Sequence, residues 1–519
     1  MNSAHNWLLP LITFVPLAGA AVMLVIPKQQ ENLHKGISLV ASLVAFGLGV
    51  YLLTLFDMDK GKSLQFVVDK SWIDVIHSRF IMGIDGISLP LMGLTLFIMP
   101  LVFIYTWNHV PAPGNAKAYT ILMLVLQTGM IGSFTSQDLI LFFVFFEVVL
   151  VPMYFMIGIW GGEQRQYAAI KFFLYTLFGS ALMIVSFLSL YFLVKDPSTG
   201  EALHSFDMRL LTEAGGAGIA RTTAILIFGG MFMGFGIKVP IFPFHTWLPD
   251  AHTQAPTQGS VILAAVLLKL GTYGFVRIAL PMLPVAARWW APIIAVLATI
   301  GIIYGALGCL AQTDMKRLIA FSSVAHMGFV MLGIATLTDY GINAAVFGMV
   351  AHGLITGMLF FVAGSMKDRY HTLEIKRLGG LLVSAPKMGW ILGFSAMASL
   401  GLPGLAGFWG EFPAILAAYQ PADGLSVGLF RTCMVIAALG TVFAAGYLLW
   451  MFQRTSFGFP KAEFENDPHI RDVRFSEWLA WTPMLLGIVL FGFLPGLLFQ
   501  VSNPAATFIA NAAQAVVGG

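Results

Sequence analysis

Charge is scarce in this chain. Only 10% of its 519 residues are Asp, Glu, Lys or Arg, against about a quarter in soluble domains. The net charge of +3 is small and scattered, so there is no basic footprint for nucleic acid. Cysteine is almost missing: Cys309 and Cys433 lie in different apolar runs without a CxxC partner, which argues against iron–sulfur and structural zinc ligation. No strand–Gly-rich turn–helix unit of the dinucleotide-binding kind is present, and no stretch reads as a separate soluble domain.

What is present is apolar length. The chain is 58% hydrophobic with a mean hydropathy of +0.84, and apolar segments of about 20 residues recur, each able to cross ~30 Å of hydrocarbon. The fold class expected is an all-α polytopic membrane protein of about 14 helices, near 7–26, 36–56, 86–106, 118–135, 138–160, 167–194, 222–247, 257–280, 291–310, 317–337, 341–365, 387–418, 428–452 and 476–500. Trp7–Ile26 has no basic segment before it and is too long for a signal-peptide core, so it reads as a retained first span. Basic residues concentrate in the odd-to-even connections (Lys28, Lys35, Lys117, Arg165, Lys316, Arg317, Lys367, Arg369, Lys376, Arg377, Lys387, Arg454), whereas the opposite loops mix them with acids. The positive-inside rule then puts those connections in the cytoplasm and both termini outside.

Two spans are interrupted. The seventh carries Pro240 and Pro243, and the twelfth carries Pro403 between Leu402 and Gly404. Proline removes a ladder donor and clashes with the preceding turn, and opened backbone inside a membrane is tolerated only against protein or water. Two breaks five spans apart match the inverted-repeat plan of transporters. The plain alternative is that both are ordinary proline kinks.

Ionisable residues stand inside these runs: Glu147, Lys238, Lys269 and Glu411, joined by His326 and His352. A charge near the bilayer centre costs roughly 2.5–3.5 kcal/mol even on a mild scale, and such residues mark ion or proton pathways. Glu147 and Lys238 are as well read alone as a static packing pair. Lys269 is too central to snorkel, the histidines alone are equally well read as interhelical hydrogen-bonding partners, and Glu411 could be satisfied by backbone freed at the break. The set is harder to dismiss. An ion pair at 4 Å is worth about 4 kcal/mol at an effective dielectric of 20, close to the ~3.5 kcal/mol needed to move a proton against ~150 mV. The expected scheme has Glu147 holding Lys238 protonated, with release of that pair sending a proton through Lys269 and the histidines to Glu411. His245, Asp250 and His252 at the far end of the seventh span are secondary candidates, read preferentially as loop-organising groups; Asp138 reads as an N-cap.

Residues Phe145–Gly162, His245–Ser260, Lys316–Gly328 and the acidic end of the twelfth span resemble the antiporter-like membrane subunits of respiratory complex I, across essentially the whole chain. The resemblance implies two inverted five-helix repeats (118–280 and 291–452) after an N-terminal part (1–117), with 453–519 as the last helix and tail. It implies proton translocation by Glu147, Lys238, Lys269, His326, His352 and Glu411. Many members of the family are expected to have lysine at the position of Glu411, so the acid there discriminates among them. No cofactor is implied in this chain: NADH, flavin (FMN), iron–sulfur clusters and quinone would sit in partner subunits. The implied partners are other complex I membrane subunits, including neighbouring antiporter-like ones, together with lipid, in a bacterial inner membrane. Competing readings are a subunit of a multisubunit Na+/H+ antiporter, a hydrogenase membrane arm, and a passive scaffold.

Overall fold

The computed structural model describes residues 5–465 and 467–514. Among the described residues, twelve helices are long and apolar enough to cross a membrane. The first four are α1 (Leu8–Val25), α2 (Glu31–Leu55), α3 (Ser88–Thr106) and α4 (Ala116–Thr135). The fifth, Leu139–Trp160, loosens at Val149 into α5 (Leu139–Val148) and α6 (Leu150–Trp160). Then come α7 (Arg165–Leu193), the short α8 (Met208–Ala214), and the first broken pair, α9 (Arg221–Lys238) and α10 (Trp247–Gln254). The span Thr257–Met282 consists of α11 (Thr257–Ile262), α12 (Leu268–Gly274) and α13 (Leu280–Met282), joined by π-helical turns at 263–267 and 275–279. After it stand α14 (Pro284–Leu310), α15 (Met315–Ala335), α16 (Asp339–Tyr370), the short α17 (Leu381–Ser384), and the second broken pair, α18 (Pro386–Ser399) and α19 (Ala406–Ala417). The chain closes with α20 (Val427–Ser456), α21 (Phe475–Phe493) and α22 (Gly496–Gln514).

Three expectations need correction. The expected all-α class has an exception between the second and third spans, where residues 57–85 include an antiparallel hairpin, β1 (Gln65–Ile73) and β2 (Ser78–Ile84). Asp138 is an N-cap as expected, accepting from the backbone N–H groups of Ile140 and Leu141, and it also accepts from Ser78 Oγ at 3.0 Å, pinning the hairpin to α5. The last span stops at Phe493 instead of residue 500, and the tail to Gln514 is a further helix. The eighth span is not a regular helix, because its two π-turns widen the backbone on either side of Lys269. Such turns are rare and recur at functional sites.

The first break follows from hydrogen-bond accounting. Pro240 has no N–H for the carbonyl of Gly236, which accepts instead from Ile241 at 2.9 Å. That leaves the Ile237 carbonyl without its helical donor, and the Trp247 indole N–H supplies one at 2.9 Å. In the second break, Gly401 and Gly404 take φ of +79° and +93°, a region that favours glycine. Trp409 donates its indole N–H to the Gly492 carbonyl at 2.8 Å and so ties α19 to α21.

Burial sorts the helices. The Thr257–Met282 span, α15 and α16 are 94%, 94% and 100% buried over their apolar windows, whereas α2 is only 28% buried. Lipid and apolar side chains are alike in hydrophobicity, so helices associate through close packing of small residues. One close crossing joins α16 to α19: a Cβ on Gly410 would lie 2.5 Å from the Cα of Gly348. A fully buried bidentate pair, Arg369 with Glu477 at 2.8 and 2.7 Å, clamps the end of α16 to the start of α21. Outside the membrane-length helices, Arg209 bonds both Asp69 and Asp207 and links α8 to the hairpin. Burial works to raise the Asp69 carboxyl pKa, but hydrogen bonds from Arg209 and Arg79 prevail and hold it below its usual range.

Two outcomes are expected. Gly410→Ala forces α16 and α19 apart at a cost of about 1–3 kcal/mol, as overpacking does, and should lower the thermal unfolding midpoint in detergent. Glu477→Gln leaves the Arg369 guanidinium buried without its counter-charge, costing about 3–5 kcal/mol, and should be the more damaging of the two. Replacing both members by apolar residues should recover most of that loss in the same measurement.

Candidate functional site

The three most buried spans each carry one of the singled-out bases: Lys269 on α12, His326 on α15 and His352 on α16. Lys269 is wholly shielded from solvent, and its Nζ reaches back to donate to the Ala264 carbonyl at 2.5 Å, inside the first π-turn. The same ammonium lies 2.7 Å from His352 Nδ1. The His352 ring lies 6.0 Å, centroid to centroid, from that of His326. His326 Nδ1 is 2.5 Å from Oε1 of Glu411 on α19.

Four of the six residues therefore form one polar line across the bundle, Lys269–His352–His326–Glu411. In space the two histidines stand in the reverse of their sequence order. The remaining atoms at the Glu411 end share a small space. Glu411 Oε2 and His352 Nε2 have no protein partner, and both residues line a cavity of about 20 Å³ with His326, Ser399, Gly348 and Gly410. A water needs about 10–15 Å³ on that measure.

The other two residues stand apart, and here the expectation fails. Glu147 and Lys238 do not form an ion pair. Glu147 Oε1 accepts from Ser180 Oγ on α7 at 2.5 Å. Lys238, the last residue of α9, is buried with no hydrogen-bond partner, its Nζ 4.5 Å from the centre of the Phe146 ring. The break at Pro240 ends the helix at this lysine, and the ring of the residue preceding Glu147 takes the place foreseen for the carboxylate. Beyond Lys238 the path towards Lys269 is aromatic: Phe142, Phe146, Phe235, Tyr273 and Phe275 touch one another with centroids 5.4–6.4 Å apart. Lys269 is hydrogen-bonded to Ala264 and His352, whereas no hydrogen bond joins Lys238 to Lys269.

Of the secondary residues, Asp250 bonds Lys171 at 2.7 Å and lies 3.6 Å from Arg317, a loop-organising arrangement. His252 stacks on Phe360 at 4.4 Å with neither ring nitrogen hydrogen-bonded. His245 stacks with Phe242 and meets Tyr304 edge-on.

Sequence reading missed several groups. Lys316, counted above as a loop charge, is buried and donates to the Ala255 carbonyl at 2.5 Å. Arg277 forms a buried salt bridge with Asp85, which also caps α3 through the N–H groups of Ile87 and Ser88. Both line a cavity of about 540 Å³ between α8, the hairpin end and α22. Arg277 could have been noticed as a charge near the end of an apolar run. Tyr447 and Ser399, which flank His326, carry no signal in a one-dimensional pattern. Among the described residues no group of three His, Cys, Asp or Glu side chains is placed to hold a metal ion.

The likeness to known proteins runs the whole length of the chain. Residues 136–437 match the family described as NADH:quinone oxidoreductase/Mrp antiporter, TM, and residues 62–133 match NADH-ubiquinone oxidoreductase chain 4, amino terminus. The NADH-quinone oxidoreductase subunit M of Rhodobacter capsulatus is 42% identical over 518 residues, covering 98% of each chain. A chain of respiratory complex I from Thermus thermophilus superposes with a TM-score of 0.84 at 27% identity, covering 97% of this chain and 99% of that one. A chain of the Mrp complex from Dietzia shares the fold, with a TM-score of 0.80 at 22% identity over 97% of this chain and 52% of the other. The chain belongs to the NADH-quinone oxidoreductase subunit M family of antiporter-like membrane proteins.

Proposed function

We propose that this chain is a proton-translocating subunit of a bacterial NADH:quinone oxidoreductase, carrying protons along Lys269, His352, His326 and Glu411. The observation that carries the reading is the line itself. Two contacts of 2.7 and 2.5 Å, Lys269–His352 and His326–Glu411, join side chains on four helices inside an otherwise apolar bundle. Static packing would be served as well by apolar residues, and a buried ion pair is weak evidence for stability. A line of groups that all exchange protons is what a relay requires.

In this reading a proton on Lys269 passes to His352, crosses the small cavity by way of a water, and is shared by Glu411 and His326, which are joined through Oε1 and Nδ1. Glu147 and Lys238 act upstream. With Lys238 against a ring instead of a carboxylate, the arrangement represents the open state of their pair. Closing it calls for Glu147 to leave Ser180 and reach Lys238 past Phe146. The aromatic cluster between Lys238 and Lys269 then serves as the dry barrier that makes transfer conditional.

The same reading takes the broken pairs α9/α10 and α18/α19 as the seventh and twelfth of fourteen crossings, in inverted repeats at 118–280 and 291–452. Both termini would face the periplasm, as the loop charges direct. NADH, flavin, iron–sulfur clusters and quinone would be handled by partner subunits, with other antiporter-like subunits alongside. The full-length match to a subunit M at 42% identity favours this over an antiporter without a redox partner, whose likeness is one of fold.

The test is the assembled oxidoreductase in vesicles, with NADH oxidation and proton transport measured in one sample. Lys269→Ala and Glu411→Gln should each assemble and lower the protons moved per NADH; normal pumping by both would restore the scaffold reading. Glu147→Gln should likewise lower pumping. Loss of pumping together with electron transfer would mean tight coupling, and loss of pumping alone a channel that can be bypassed. Unchanged pumping would remove Glu147 from the mechanism.

A further inference from the structure

His326 is singular among the buried histidines of the described residues. His34, His245, His252 and His352 each have at least one ring nitrogen without a partner. His326 has both satisfied: Nδ1 by Glu411 at 2.5 Å, and Nε2 by two hydroxyls, Ser399 Oγ at 3.1 Å and Tyr447 Oη at 3.2 Å. Both hydroxyl residues are buried, and they come from different helices. Ser399 is the last residue of α18, set at this point by the break that follows it, and Tyr447 crosses from α20.

Two hydroxyls on one nitrogen have a chemical consequence. A neutral imidazole with its proton on Nδ1 has a lone pair at Nε2 and needs a donor there; an imidazolium carries a hydrogen at Nε2 and needs an acceptor. A carbonyl or an indole N–H would serve one state and leave the other with an unsatisfied buried atom, which is costly in a low-dielectric interior. A hydroxyl rotates and serves either.

We propose that Tyr447 and Ser399 are positioning residues that keep His326 Nε2 hydrogen-bonded in both protonation states, so that the ring can gain and lose a proton while its Nδ1 stays on Glu411. This rests on the proton-translocating reading above. The titratable groups facing the site are Glu411 from α19, His352 from α16 with Lys269 behind it, Tyr447 from α20, and Cys309 from α14 beside Tyr447. None of these besides Tyr447 is hydrogen-bonded to Nε2. Because one hydroxyl is sufficient in either state, the two should back each other up.

The assembled oxidoreductase in vesicles tests this, with Tyr447→Phe, Ser399→Ala, the double variant and Glu411→Gln compared for protons moved per NADH across about pH 5–8, where histidine titrates. Each single variant should lose less than roughly half of what Glu411→Gln loses, and the double variant should match it, a departure from additivity expected of coupled partners. The loss in the double variant should vary with pH, and Ser399→Thr in the Tyr447→Phe background should rescue pumping by keeping a hydroxyl. A double variant that pumps normally at every pH overturns the proposal. So do losses that merely add and do not change with pH, since a packing role alone predicts those. Normal pumping by Glu411→Gln would overturn the relay and this inference together, whereas an effect of Glu411→Gln with a silent double variant overturns the inference alone.

Discussion

The contact between the Glu411 carboxylate and the His326 imidazole is the constraint on which the second half of the molecule is built. A carboxylate in hydrocarbon must find a partner, and this one finds it on a helix 85 residues earlier in the chain. Three features make the meeting feasible. The break at Leu400–Leu405 starts α19 afresh, the glycine crossing of Gly348 with Gly410 lets α19 lie against α16, and the Trp409 indole fastens α19 to α21. Each would be a weakness in isolation. Together they bring an acid within 2.5 Å of a ring in the most buried part of the bundle.

The first half solves a related problem differently. Lys238 sits at the end of a helix stopped by proline, as Glu411 sits just past one, yet its ammonium has a ring face and no carboxylate. A cation on an aromatic face is held by about 2 kcal/mol when desolvated, less than the ~4 kcal/mol of an ion pair at 4 Å, so its position is the more easily changed. Glu147, bonded to a serine hydroxyl, is similarly held by a partner it can leave. One end of the polar system is thus tightly connected and the other loosely, with aromatic side chains between.

Much of this was legible in the residues. Apolar runs fixed the helical membrane class, prolines located both interrupted spans, and six ionisable side chains stood out because each is costly where it lies. The hairpin at 65–84 was hidden because its short strands fall in a polar, mixed-charge connection with no long alternating pattern. The π-turns around Lys269 were hidden as well, since they alter backbone pairing without altering hydropathy. Lys316 was misread for a related reason: next to Arg317 at a helix start it looks like loop charge, and only packing shows that it is buried against the Ala255 carbonyl.

By itself, the sequence determined how many apolar runs there are, where they fail to be continuous, and which charges are stranded inside them, because these are properties of single residues and their near neighbours. Only the tertiary structure decided the partners: Lys269 with His352, His326 with Glu411, Ser180 with Glu147, and a ring for Lys238. The physical reason is that apolar helices in a membrane are steered together by small-residue contacts and by satisfying buried polar groups. Those contacts join positions more than eighty residues apart in the two central cases, a separation that no local pattern encodes.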